Sequence, residues 1–166
     1  MDEKERIFLS VLDGHKGIIY KVANTYCNDA SDRDDLIQEI TLQIWRSIDN
    51  YREEYKWSTW IYRIALNTSI SFYRKNSTRR ARTVGLGQII EVPNADDESP
   101  DDENFVLLRK FIRELREIDK ALILLHLEGL SSQEIADIMA TTQTNVTTKI
   151  SRIRKKLKLK FQNHKK

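Results

Sequence analysis

Glycine and proline, the residues that most readily interrupt a helix, are scarce in this chain of 166 residues (Gly 5, Pro 2), and Gly85, Gly87 and Pro93 fall together in one short window. From about Asn76 to Asp102 the sequence NSTRRARTVGLGQIIEVPNADDESPDD loses its periodicity, starting basic and ending acidic. A structureless stretch of that length is uncommon inside one compact domain, so it reads as a boundary. Both flanks repeat apolar residues at helical spacing, without strand-like alternation of useful length. The expected fold is all-α: two small helical domains, residues 1–76 and 104–166, joined by a flexible linker over 77–103. With 40% hydrophobic and 32% charged residues, both cores should be lean and built from amphipathic helices.

In the first domain, SDRDDLIQEITLQIWRSI opens with Ser31 or Asp32 as candidate N-cap and places acids in the first turn, where the helix dipole favours them. Ile37, Ile40, Ile44 and Ile48 recur at helical spacing, with Leu36 and Trp45 widening the stripe, which predicts a core face. After the turn region DNYREEYK, a second helix is expected through WSTWIYRIALNTSISFYRK. Trp57, Trp60, Ile61, Ile64, Thr68 and Phe72 are assigned to its core side, and Arg63, Asn67, Ile70 and Arg74 to its outer side. In the second domain Phe105, Leu108, Ile112 and Leu115 mark one helix, and Ala121 to Leu127 a central, almost wholly apolar one.

The stretch GLSSQEIADIMATTQTNVTTKISRIRKKLKLK changes character midway. Ser131 with Glu134 three residues later is a capping box, opening a short helix whose Ile135, Ile138 and Met139 point back toward Leu130. A turn at Ala140 to Gln143 leads to a longer helix with Val146, Ile150, Ile153 and Leu157 on one face. Its opposite face carries Thr144, Thr147, Thr148, Ser151, Arg152 and Lys155. This is the layout of a helix-turn-helix, whose second helix enters the major groove and reads base edges with short polar or Arg side chains near its start. Ala140 stands where a left-handed residue is expected, a conformation that costs a non-glycine about 1 kcal/mol.

Net charge is only +3, with a pI near 8.9, but its placement is uneven. No acidic side chain follows Asp137, whereas Lys149, Arg152, Arg154, Lys155, Lys156, Lys158, Lys160, Lys165 and Lys166 do. Such a basic tail supplies phosphate contacts and counterion release, which carry affinity without sequence information. Cys27 is the single cysteine, so an intrachain disulfide is impossible and a reducing cytoplasm is the natural compartment. The acidic start MDEKERIFLSVLDGHKGIIY reads as neither signal peptide nor membrane span. His15, His126 and His164 form no metal-ligand spacing and no glycine-rich phosphate loop occurs, so neither an enzyme nor a cofactor or metal is expected.

DDLIQEITLQIWRSIDNYREEYKWSTWIYRIALNTSISFYRK resembles region 2 of the bacterial sigma-70 family, specifically its small extracytoplasmic-function (ECF, group 4) members. EIDKALILLHLEGLSSQEIADIMATTQTNVTTKISRIRKKL is similar to their region 4. The two blocks stand in the family's order and cover about half of the chain. The region 2 match discriminates more, because region 4 alone also resembles the DNA-binding domains of response regulators. The resemblance implies a sigma factor that binds core RNA polymerase and directs recognition of the −10 and −35 promoter elements, DNA melting and initiation. The alternative is a stand-alone helix-turn-helix transcriptional regulator of response-regulator type, which would bind duplex DNA without polymerase.

The resemblance also implies roles for individual residues. Asp35, Gln38 and Glu39 would dock on the clamp helices of the largest catalytic polymerase subunit; their spacing puts them on one helix face. The loop NYREEYKW would hold a flipped base of the −10 element through Asn50, Tyr51, Tyr55 and Lys56, with Arg63, Asn67 and Arg74 contacting the strand, while Trp57 and Trp60 are assigned to core. Thr147, Thr148 and Arg152, flanked by Asn145 and Lys149 and joined by Thr144, Ser151 and Lys155, would contact the −35 element. Further implied partners are the flap of the second catalytic subunit and an anti-sigma factor. The linker would thread toward the polymerase cleft, where the acidic stretch from Asp96 to Glu103 would occupy channels lined for nucleic acid.

Overall fold

The computed structural model describes residues 1–83 and 102–166, with side chains for 1–79 and 102–166. The chain divides into two compact units, one before and one after the junction of Pro93 and Asn94. The described residues form seven helices and a single 3-10 turn, with no strand. None of the described helices is long and apolar enough to cross a membrane.

The first unit holds α1 (Glu3–Tyr26), α2 (Ala30–Ser47), the 3-10 turn Ile48–Asn50 and α3 (Trp57–Thr83). α1 opens on a capping box: the Asp2 carboxylate accepts from the Glu5 amide at 2.8 Å, and the Glu5 carboxylate from the Asp2 amide at 3.1 Å. The cap of α2 is Asp29, accepting from the Ser31 amide at 3.0 Å, rather than Ser31 or Asp32. α2 starts only a few residues after α1 ends, so the sharp corner at Asn28 and Asp29 brings the cap forward.

Val11, Ile19, Val22, Ala23 and Tyr26 of α1 meet Leu36, Ile40, Ile44 and Ile48 in a core that α3 completes. The buried row of α2 therefore begins at Leu36, whereas Ile37, assigned to it from the sequence, is only half-buried. The larger difference is in α3. Its buried side chains are Ile61, Tyr62, Ala65, Leu66, Ser69 and Ile70. At about 100° per residue, Trp57, Trp60 and Ile64 lie roughly 130–170° from the centre of that face, while Ile70, expected outside, is inside. α3 is apolar on two sides, and the side that packs is the one with the small Ala65 and Ser69 between Ile61, Tyr62, Leu66 and Ile70.

α3 runs to Thr83, past Asn76, while residues 84–101 of the proposed linker, including Asp96 to Asp101, lie outside the described residues.

The second unit holds α4 (Glu103–Arg113), α5 (Glu117–Leu127), α6 (Ser132–Met139) and α7 (Gln143–His164). Phe111 and Leu115 pack with Ala121, Leu122, Ile123 and Leu125, with Ile135, Ala136 and Ile138, and with Val146, Ile150, Ile153 and Leu157. Phe105, part of the apolar repeat that marks this helix in the sequence, is 47% exposed. Phe111 takes its place, meeting Phe161 edge to face at 5.0 Å. Burial of each large apolar side chain contributes about 1.5–3 kcal/mol, so one buried aromatic matters in a core this small.

Gly129, at φ 82, turns the chain out of α5, and its amide donates to His126 O at 3.1 Å. Ser131 and Glu134 make the expected capping box on α6. That helix ends at Ala140 in the left-handed conformation (φ 53, ψ 50), and Thr142 caps α7 by accepting from the Asn145 amide at 3.2 Å.

Candidate nucleic-acid interfaces

The loop between the 3-10 turn and α3 is closed by aromatic contact. Tyr51 stacks on Trp57, and Trp60 meets Tyr51 at 5.7 Å and Trp57 at 5.5 Å, edge-on to both. The Tyr51 hydroxyl donates to Tyr55 O at 2.5 Å, the Tyr55 amide donates to Arg52 O at 3.2 Å, and the Arg63 guanidinium lies 4.5 Å above the Tyr55 ring. Tyr51 and Tyr55 are half-buried, while Asn50 and Lys56 are exposed. These contacts brace the segment from within. Upstream, Lys4 ties it to α1 through Asp49 at 2.6 Å and the face of Trp45 at 4.6 Å.

Along α3, Asn67 and Arg74 are exposed and Arg63 is half-buried. Trp57 and Trp60, both half-buried, lie outside the packed face of α3, on the side of the helix that carries Arg63 and Asn67. Sequence reasoning missed this; the available signal was Ala65 and Ser69 four apart, the small-residue seam along which α3 packs.

On α2, Asp35 and Gln38 are exposed, while the half-buried Glu39 accepts from Gln43 Nε2 at 2.8 Å. Leu42, one turn beyond Gln38, is 39% exposed and was not anticipated. Its spacing from Asp35 and Gln38 marks it in the sequence as a member of their face.

In the second unit, Thr144, Asn145, Thr147, Thr148, Ser151, Arg152 and Lys155 are exposed and Lys149 is half-buried. Val146 and Ile150, buried beneath them, fix the rotation of α7. Asn145 Nδ2 donates to Thr141 Oγ1 at 2.7 Å, so its amide is tied back to the turn. The far end of α7 is anchored on α4 by Phe161 against Phe111 and by an ion pair between Lys160 and Glu114. An anchored helix with an open, acid-free first half can meet the major groove while Arg154, Lys156 and Lys158, all exposed, are available to phosphates.

The Sigma-70 region 2 family model matches residues 12–79, and the Sigma-70, region 4 model matches residues 105–157. The chain is 33% identical over 133 residues to RNA polymerase sigma factor SigZ of Bacillus subtilis, covering 79% of this chain and 73% of that protein. It is 30% identical over 143 residues to the ECF RNA polymerase sigma-E factor of Haemophilus influenzae, covering 80% and 76% respectively. Among solved structures, CnrH in complex with the cytosolic domain of CnrY shares the fold with a TM-score of 0.67 at 19% identity, over 96% of this chain and 90% of that one. The sigma factor RpoE of Bartonella quintana, solved with the anti-sigma factor NepR, also gives 0.67, at 20% identity and 92% coverage of both chains.

Proposed function

The chain belongs to the sigma-70 family of RNA polymerase sigma factors, in its ECF branch, and from that premise we propose how its surfaces divide the work of directing promoter recognition. The outer face of α2, with Asp35, Gln38 and Glu39, engages the clamp helices of core polymerase, and the flap of the second catalytic subunit meets the other unit. The loop from Asn50 to Lys56 takes up an unstacked base of the −10 element, and Arg63, Asn67 and Arg74 follow the strand. The first turns of α7 read the −35 element, with Arg152 suited to bidentate contact with guanine. The basic residues beyond it bind phosphates.

The observation that carries this reading is the coexistence of two different surfaces in one chain. An exposed, acid-free α7 suits any duplex reader. The pre-shaped loop around Tyr51, Trp57 and Trp60 does not, because a duplex reader has no use for a structure suited to unstacked bases. This disfavours the stand-alone regulator. The protein works in the cytoplasm as an initiation factor, with the chemistry left to polymerase, and an anti-sigma factor restrains it.

In vitro transcription with bacterial core polymerase, with and without this protein, on a genomic fragment library with mapped 5′ ends tests the reading. New start sites sharing paired upstream motifs are expected. No initiation, together with tight specific duplex binding by the protein alone, would overturn it. Arg63→Ala and Asn67→Ala are expected to weaken open-complex formation with polymerase binding intact, and unaltered promoter melting would remove them from the −10 contact.

A further inference from the structure

Threonine carries two different groups on one Cβ, a hydroxyl and a methyl, and the first half of α7 presents it repeatedly. Thr147 Oγ1 donates to Gln143 O at 2.9 Å, and Thr148 Oγ1 donates to Thr144 O at 2.9 Å. Each hydroxyl proton is thereby engaged one turn back in the helix's own backbone, an arrangement available to threonine because its oxygen can bond the carbonyl four residues before it. Both residues are exposed. On a tetrahedral Cβ whose oxygen is turned toward the helix backbone, the methyl is the group left facing outward.

The helix cannot easily rotate to change this presentation. Val146 is 0% and Ile150 6% exposed, and they lock the opposite face into the core of the second unit. Turning a hydroxyl proton to a base acceptor would exchange one hydrogen bond for another, and the oxygen left over could only accept, from the amino group of adenine or cytosine. A methyl laid against an apolar group loses nothing.

In the major groove thymine alone among the four bases offers such a group, its C5-methyl. We propose that Thr147 and Thr148 recognise thymine methyl groups in the −35 element by apolar contact rather than by hydrogen bonding to base edges. The inference rests on the placement of α7 in the major groove proposed above. It adds a chemical specificity: thymines beside the guanine contacted by Arg152, which is one turn beyond Thr148.

The experiment uses the holoenzyme, formed from core polymerase and the full chain, on a promoter library randomised over the −35 region. The transcribed promoters are expected to share thymines at one or both positions facing Thr147 and Thr148. Each of those thymines is then replaced by deoxyuridine, which removes the methyl and leaves the base-pairing edge intact. Initiation should fall about three- to fivefold per methyl, the scale of one buried methyl group. Thr148→Ser keeps the hydroxyl and drops the methyl, so its ratio of thymine to deoxyuridine activity should approach one. Thr148→Val keeps a methyl in its place and should retain the parent protein's preference for thymine over deoxyuridine. Equal initiation from thymine and deoxyuridine templates overturns the methyl contact while leaving α7 in the groove. The absence of any selected −35 motif overturns both.

Discussion

The rings of Tyr51 and Trp57 lie face to face, with centroids 3.5 Å apart and planes 12° from parallel, joining the two ends of the loop that precedes α3. Tyr51 also spans the loop, its hydroxyl donating to Tyr55 O. One side chain therefore holds both the mouth and the middle of the segment, and under the proposed −10 role such bracing would lower the ordering entropy lost on taking up a base. Tyr51→Ala removes both contacts and should reduce permanganate reactivity of the melted −10 region, with affinity for core polymerase retained. The tryptophan emission of the free protein should shift to the red as Trp57 and Trp60 gain water. Tyr51→Phe keeps the stack and should show a smaller defect; equal defects would assign the whole effect to the hydroxyl.

Ser69 is fully buried on α3, and its hydroxyl has no hydrogen-bond partner among the described residues. An unsatisfied buried hydroxyl costs about 1–3 kcal/mol in desolvation, so removing it should help or do nothing. Ser69→Ala is expected to leave stability unchanged or raise it by about 1 kcal/mol in urea titrations with unaltered m value. Leu66→Ala, one turn away, should lose about 2–5 kcal/mol. A loss at Ser69 comparable to that at Leu66 would mean that its hydroxyl does have a partner.

The same helix shows where the sequence was readable and where it was not. α2 and α7 each carry most of their apolar residues on one side, with Leu42 and Leu159 as exceptions, so periodicity located their buried rows to within one residue at Leu36 and fully at Val146, Ile150, Ile153 and Leu157. α3 is apolar on two sides, and hydrophobicity cannot choose between a side that packs and a side that stacks aromatics on its own loop. The side that packs is the one holding the fully buried Ala65 and Ser69, which a count of large apolar residues passes over. The caps at Ser131 and Ala140 were legible because they depend on local geometry alone. The exposure of Leu42 was legible only through its spacing from Asp35 and Gln38, because an isolated leucine on a helix is ordinarily assigned inward.

Ala140 adopts φ 53 and ψ 50 at the corner between α6 and α7. Glycine reaches that conformation without the Cβ clash, which costs other residues roughly 1–2 kcal/mol. Ala140→Gly should raise stability by about 0.5–1 kcal/mol, the strain relief being partly offset by the greater freedom of glycine in the unfolded chain. Thermal melting of the full chain measures it, and a fall in Tm would mean that the corner carries no such strain.

Asp35 and Gln38 are exposed on α2 and contribute nothing to its core. Substitutions at such positions ordinarily change stability by less than about 0.5 kcal/mol. Asp35→Arg should therefore melt like the parent protein yet fail to assemble with core polymerase in a pull-down or a fluorescence titration. Full assembly at moderate salt would remove the face from the polymerase contact. Leu42→Ala tests whether the exposed leucine beside them belongs to the same contact, in which case it weakens assembly without lowering Tm.

Arg152 and Lys158 are both exposed cations on α7, about one and two-thirds turns apart, and the proposed function gives them opposite kinds of work. An arginine that grips a guanine edge contributes about 1–3 kcal/mol to one base and little to its competitors. A lysine on phosphate releases counterion whatever the sequence, and losing it flattens the dependence of log K on log salt by about 0.9. With holoenzyme on a panel of single-base −35 variants, Arg152→Ala should level the preference at one position and leave the others intact. Lys158→Ala should weaken every variant by the same factor and reduce the salt slope. If Arg152→Ala instead lowered all promoters equally, the residue would be another phosphate contact, and base reading on α7 would rest on its threonines alone.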